Sequence, residues 1–190
     1  MAAQETVLHV TEITDPSLAQ EIWETYIGSF ADTDEHCPQD QICYDKMMMT
    51  LALSDTDYQK FVLKVEDRVI GICLLTNNLA KARIAYCNDR YYTRRFPNYV
   101  AQGRLYYVTA ICVLPKMQSM GFGLKLLEAV IAFIDKHQSM VAYDYSDTKN
   151  SSLTGLIQYV GTRMSMNLVE IQLDRQIYTT LHGTHYGDPS

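Results

Sequence analysis

From residue 5 to residue 13 the chain alternates, with Val7, His9 and Thr11 on one face of an extended strand and Leu8 and Val10 on the other. Thr14-Asp15-Pro16 reads as a helix start, with Asp15 as the cap and Pro16 in the first turn. The period then changes. Over 18–30, Ile22, Tyr26 and Phe30 recur every four residues, which predicts an amphipathic helix. A polar break over 31–40 leads into a second helical stretch, 41–53. Residues 60–66 and 69–76 are β-rich, and Asp67-Arg68 between them signals a hairpin.

Another β-rich run, 104–113, meets Pro115 and a loop with two glycines, and a long helix follows through His137. In that helix Lys125, Glu128, Ala132, Asp135 and Lys136 share one stripe. Leu124, Leu127, Val130, Ile131, Phe133 and Ile134 cover the rest, as in a helix packed on a sheet. A short strand over 140–145 and a helix over 151–163, despite Gly155 and Gly161, come next. Two strands, 168–173 and 177–181, close the pattern, and 183–190 reads as a frayed tail.

The predicted order is β-α-α-β-β-β-α-β-α-β-β, a mixed α/β (α+β) arrangement without the strict βαβ alternation of a doubly wound nucleotide binder. No internal repeat or low-complexity segment interrupts it, so residues 1–190 are expected to be one domain. The connection 78–103 is long for such a fold and dense in tyrosine and arginine.

Composition narrows the class. A hydrophobic share of 47% over 190 residues is enough for a real core. A net charge of −6 without a sustained basic stripe argues against a nucleic-acid partner. The five cysteines, Cys37, Cys43, Cys73, Cys87 and Cys112, are odd in number and contain no C-x-x-C, so free thiols in a reducing compartment are expected. No segment has the ~18 apolar residues of a membrane span. A cytoplasmic protein without a membrane partner is the expectation.

The most informative stretch is Pro115-x-x-Gln118-x-x-Gly121-x-Gly123, between a strand ending Ile111-Cys112-Val113 and a helix. A strand, a glycine loop and a helix start point backbone N–H groups at an anion, because the first helical donors have no internal partner and the helix dipole adds positive potential. A Walker loop would need Lys-Ser/Thr after its last glycine, where Leu124 and Lys125 stand. The dinucleotide fingerprint would need a glycine at Leu126. Both fail. The pattern resembles the acyl-CoA loop of the GNAT superfamily of N-acetyltransferases, and the predicted element order is similar over most of the chain. The resemblance implies the GNAT acyl-CoA N-acyltransferase fold, with a mixed central sheet of about seven strands and about four flanking helices. It also implies that Gln118, Ser119, Met120, Gly121, Phe122, Gly123 and Leu124 hold the pyrophosphate of acetyl-CoA. Ile111, Cys112 and Val113 would line the pantetheine arm and thioester where the strand splays open.

Acetyl transfer from a thioester to an amine requires a deprotonated amine (lysine-like pKa ~10.4), donors for the oxyanion, and a proton for the thiolate (pKa ~8.5). Many relatives carry a tyrosine acid in a pattern like Asn-x-x-Ala-x-x-x-Tyr-x-x-x-Gly-Phe. Here Ser152, Gly155 and Tyr159 keep that spacing, while Arg163-Met164 stands for Gly-Phe. Ser152 is accordingly a cofactor-side candidate. Tyr159 is either the general acid or a tyrosine packed between helix and sheet.

Where many relatives carry a strand-borne glutamate, this chain has Thr109-Ala110. Asp144, directly or through water, Tyr107, or bulk solvent are the alternatives for proton removal. Tyr92, Arg95 and Tyr107 are the substrate-facing candidates. The 78–103 stretch is either an extension packing its aromatics on the sheet or on a homodimer mate, or a wall of the acceptor pocket. In the second case Arg90, Arg94 or Arg95 would meet an anionic group.

Cys112 lies in an apolar strand with no nearby histidine and reads as core rather than nucleophile. His36-Cys37 and His182-x-x-His185 lack a four-ligand pattern, so no metal is expected. The expected activity is acyl-CoA-dependent N-acyl transfer, with acetyl passing directly to a primary amine of a small molecule or protein. The alternatives are a catalytically inactive CoA-binding regulatory module of the same fold, and a nucleotide-binding regulatory domain.

Overall fold

The computed structural model describes residues 4–30, 44–82 and 89–143, together with positions 155, 159, 160 and 162. Its five strands are β1 (Glu5–Val10), β2 (Tyr58–Val65), β3 (Arg68–Thr76), β4 (Leu105–Val113) and β5 (Met140–Ala142). They form one sheet in chain order. The first three pairings are antiparallel and β4–β5 is parallel. The helices are α1 (Pro16–Phe30), α2 (Lys46–Ser54), α3 (Asp89–Arg95), α4 (Pro97–Ala101) and α5 (Phe122–Lys136).

Local chemistry sets the element ends. The Asp15 carboxylate accepts the Ser17 N–H at 2.9 Å, capping α1 behind Pro16. Asp45 caps α2 by accepting the Met48 N–H at 2.7 Å. The predicted start of that helix at residue 41 is corrected, because Tyr44 and Asp45 lie outside the helix; residues 41–43 fall outside the described set. The β2–β3 turn is Glu66-Asp67, both at positive φ (50° and 66°). That places the hairpin one residue earlier than expected, and the two left-handed residues match the right-handed twist of the strands.

Two hydrophobic layers cover the sheet. On one face Ile22, Tyr26, Met49 and Leu53 from α1 and α2 meet Val62, Ile72, Leu74 and Ala110. On the other, Phe122, Leu126, Val130, Phe133 and Ile134 of α5 meet Phe61, Leu63, Cys73, Leu75 and Val113. Every residue of β3 after Arg68 is buried, so β3 is the centre of the core. Each of its large aliphatic side chains contributes about 1.5–3 kcal/mol of burial.

Lys60 was not anticipated. It stands on β2 with no solvent exposure, and its Nζ donates to the carbonyls of Thr11 (2.6 Å), Tyr58 (3.0 Å) and Asp55. Removal from water pulls its pKa down to about 8, opposed by the carboxylates of Asp55, Glu12 and Asp57. The ammonium ties the end of β1 to the α2–β2 turn.

Three further expectations change. The first strand stops at Val10 rather than 13, and the strand after α5 covers Met140–Ala142 rather than 140–145. The 78–103 connection is not structureless: it contains α3 and α4, with Pro97 at the start of α4, where its fixed φ suits a helix. Five α-helices and five strands are described, against about four and seven expected. The predicted strands 168–173 and 177–181 and the tail lie outside the described residues. Positions 155, 159, 160 and 162 are helical, in keeping with the predicted 151–163 helix.

Candidate active site

β4 changes partner along its length. From Leu105 to Tyr107 it pairs with Met140–Ala142 of β5, and beyond Tyr107 no described strand covers that edge. On its other side β4 stays paired with β3 to Val113, with a register shift between Leu74 and Leu75 that leaves Thr109 as the extra residue. The Thr109 hydroxyl donates to the Leu74 carbonyl at 3.3 Å. The bulge falls just past Tyr107, where the described pairing with β5 ends.

The direction of the freed groups follows from one hydrogen bond. The Leu114 N–H donates to the Ile70 carbonyl at 2.9 Å, so it faces β3. Backbone groups alternate sides along a strand, so those of Cys112 also face β3, and those of Ile111 and Val113 face away from it. The Val113 carbonyl accepts the Gln118 side-chain amide on that side at 2.9 Å. Gln118 thus folds back on the strand end, and its own N–H donates to the Leu114 and Pro115 carbonyls at 3.2 Å. Its expected place in the row of unpaired amides is corrected: the short 3-10 turn Pro115–Met117 closes on it.

The row begins one residue later. Among the described residues, none of the N–H groups of Ser119, Met120, Gly121, Phe122, Gly123 and Leu124 has a protein acceptor, and the helix ladder starts with Lys125 N–H to Gly121 O at 3.2 Å. Ser119 (φ 66°) and Gly121 (φ 83°) are left-handed, the alternation of backbone hands that anion-binding loops use. A Cβ on Gly121 would meet nothing within 4 Å, so the space above the loop is open and its glycine serves the backbone angle. Phe122 anchors the start of α5 in the core, while Ser119, Met120 and Gly121 are exposed. Lys125 pairs with Glu5, so the positive potential at the loop comes from the helix end itself.

The other candidates fall as follows. Tyr92 on α3 and Tyr107 on β4 are buried and meet edge to face at 5.9 Å, in a cluster with Leu79, Ala82 and Leu105. Both act here as the wall that holds α3 on the sheet. Arg95 lies on the exposed side of α3, where Arg90, Tyr91, Arg94 and Arg95 line a cavity of about 470 Å3. Tyr159 is 55% exposed, while its neighbour Val160 is fully buried against Leu127 and Ile131 of α5. The reading of Tyr159 as a tyrosine packed between helix and sheet is therefore set aside. Cys112 is half-buried, and burial pushes its thiol up to about 12, against weaker lowering by Ser29 and the Ile72 backbone. It is no nucleophile at neutral pH. Asp144, Ser152, His36-Cys37 and His182-x-x-His185 lie outside the described residues. The Thr109 bulge and the fold-back of Gln118 were missed, and the strand sequence carries no signal for either.

The model of the acetyltransferase (GNAT) family matches residues 16–151, and the chain belongs to that family. It is an N-acetyltransferase by that membership, with the GNAT acyl-CoA N-acyltransferase fold.

Among solved structures, it is similar to the aminoglycoside acetyltransferase meta-AAC0020 from an uncultured soil metagenomic sample. That likeness has a TM-score of 0.56 at 14% identity, over 93% of this chain and 97% of that one. The ribosomal-protein-S18-alanine N-acetyltransferase from Escherichia coli aligns with a TM-score of 0.55 at 12% identity, over 83% and 77%. The aminoglycoside N-acetyltransferase AAC(6')-Iy in complex with CoA gives 0.55 at 12%, over 94% and 98%. These likenesses concern the fold. None of the curated proteins compared with the chain matches it. Among the described residues no helix is long and apolar enough to cross a membrane.

Proposed function

We propose that the chain transfers acetyl from acetyl-CoA directly to a primary amine of a small molecule. The observation that carries this reading is the run of six N–H groups, Ser119 to Leu124, without a protein acceptor among the described residues, just past the end of β4. A diphosphate suits free backbone donors at a helix start, with room beside Gly121. The fit is to backbone rather than side-chain charge, since the one lysine in the first turns of α5 is engaged by Glu5.

In such a reaction the co-substrate supplies an activated thioester: the amine nitrogen bonds the carbonyl carbon, the C–S bond breaks, and one proton passes from the amine toward the thiolate. This chain's residues then have separable tasks. The N–H groups of Ile111 and Val113 face away from β3 and would hold the developing oxyanion. Tyr159, half exposed beside the α5 contact of Val160, would donate the proton to the leaving sulfur. Thr109-Ala110 offers no carboxylate, so Asp144 or solvent would take the amine proton. Cys112 takes no part, because a thiol with a pKa of about 12 is protonated at neutral pH and transfer is direct.

Calorimetry with CoA, acetyl-CoA and ATP, followed by thiol release against an amine panel, tests the reading. CoA binding with amine-dependent thiol release is expected. Binding of ATP in place of CoA would overturn it, and tight CoA binding without turnover on any amine would favour the inactive module.

A further inference from the structure

We propose that Gly71 is a positioning residue for acyl transfer: its missing side chain lets the end of β4 lie close on β3 and so sets where the Val113 N–H stands. The inference deepens the acetyltransferase reading above and rests on it for the reaction.

Glycine weakens a strand interior, because it gives up more chain freedom than other residues and packs no side chain. Gly71 nevertheless stands within β3, where every residue after Arg68 is buried. A left-handed backbone does not explain it: among the described glycines, positive φ occurs at Gly103 and Gly121, not at Gly71. Space does explain it. A Cβ on Gly71 would stand 2.9 Å from the Cys112 carbonyl oxygen and 2.9 Å from Val113 Cγ2, with the Val113 Cα at 3.5 Å. Non-bonded carbon atoms settle at roughly 3.5–4.0 Å. One of the two obstacles is main chain, which no change of rotamer removes.

The main chain held there carries a proposed oxyanion donor. The Cys112 carbonyl and the Val113 N–H belong to one planar peptide unit and point in opposite directions, the carbonyl toward β3 and the N–H away from it. A methyl group pressing on that carbonyl therefore moves the Val113 N–H with it. The surroundings leave little slack. Gly71 pairs with Val113 and Ile72 with Cys112. The Leu114 N–H donates to the Ile70 carbonyl at 2.9 Å, and the Gln118 side-chain amide donates to the Val113 carbonyl at 2.9 Å. Ile70 is also the extra residue against β2, where Leu63 pairs with Gly71 and Lys64 with Val69, so Gly71 directly follows a bulge. The six loop donors come after the 3-10 turn Pro115–Met117, at the start of a helix that Phe122 anchors in the core. A shift of a few tenths of an ångström at Val113 thus falls on the reacting carbonyl before it falls on the diphosphate.

A second glycine supplies the contrast. Gly28 on α1 approaches the next residue of the chain, but a Cβ there would meet only Leu114 Cδ2 at 3.4 Å, an ordinary contact with the tip of a side chain.

The test compares Gly71→Ala and Gly28→Ala with the parent, all as the full chain. Backbone amides are followed by NMR under saturating CoA and then under saturating acetyl-CoA, and calorimetry gives both affinities. In the parent the Val113 signal should differ between the two, because only acetyl-CoA brings the thioester carbonyl. In G71A that difference should shrink at least about twofold, while CoA affinity stays within about threefold of the parent's. With the panel amine that gives the fastest thiol release, kcat should fall about tenfold and the KM for acetyl-CoA should change little. G28A should match the parent in each readout. Should G71A not fold, the same comparison is made between V113A and G71A/V113A, in which the Cγ2 obstacle is gone and the Cys112 carbonyl remains.

A Val113 signal that ignores the acetyl group in the parent, an undiminished difference or a parent-like kcat in G71A, or a loss of CoA affinity as large as the loss in kcat would overturn the proposal. Equal losses in G28A would do the same. A parent that binds no CoA, or binds it without thiol release on any amine, would overturn the acetyltransferase reading instead. In the second of those cases the amide comparison still decides the part played by Gly71.

Discussion

The glycine loop and the outer face of α3 both present N–H donors, and they are built from opposite materials. At the loop the donors are backbone N–H groups, aimed by a strand end, a 3-10 turn and a helix start. At α3 they are side chains on a helix whose inner face is clamped by Tyr92 and Tyr107. Backbone donors are indifferent to most side-chain identities, apart from Gly121 at φ 83°. Side-chain donors can be exchanged one at a time without moving the fold.

Variants can break that contrast. The largest effect is expected at the loop. Gly121→Val forces a β-branched residue into the left-handed region and turns the loop amides away. CoA affinity should fall by roughly 100-fold, about 3 kcal/mol, in calorimetry. An unchanged affinity would remove the loop from the site.

A similar magnitude, but in stability alone, is expected for Lys60→Met. It strands the carbonyls of Thr11, Asp55 and Tyr58, and chemical denaturation should show a loss of about 3 kcal/mol. Below the unfolding transition its CoA affinity should match the parent's. A drop would mean that fold damage alone mimics loss of the loop.

Smaller is Tyr159→Phe. Turnover should fall roughly 10- to 100-fold while CoA affinity stays within a factor of two, the general acid being absent from ground-state binding. Unchanged turnover would take Tyr159 out of the mechanism. Smallest is Asp45→Ala, which removes the α2 cap and should lower stability by about 1 kcal/mol with CoA affinity unchanged.

The sequence made much of the frame legible. Four-residue spacing announced α1, and the alternation and β-rich runs announced β1 to β4. The glycine spacing announced the loop. These are local signals, in which each residue's neighbours on the chain are also its neighbours in the element.

What escaped depends on distant partners. The Thr109 bulge arises from pairing with Leu74 and Leu75, and the burial of Lys60 from carbonyls as far away as Thr11. The inward turn of Gln118 follows from a 3-10 turn that its own residue closes. Arg90 and Arg94 were visible as charges. Their one-turn spacing meant little until 89–95 was known to be helical, because tyrosines and arginines set no apolar period of their own.

The most direct test of the central claim follows the backbone amides of Ser119 to Leu124 by NMR as CoA is added. The predicted result is that these six signals shift together and saturate with the calorimetric affinity, while the Gln118 amide, already bonded to Leu114 and Pro115, shifts least. Saturable CoA binding that leaves the six amides unmoved would contradict the account.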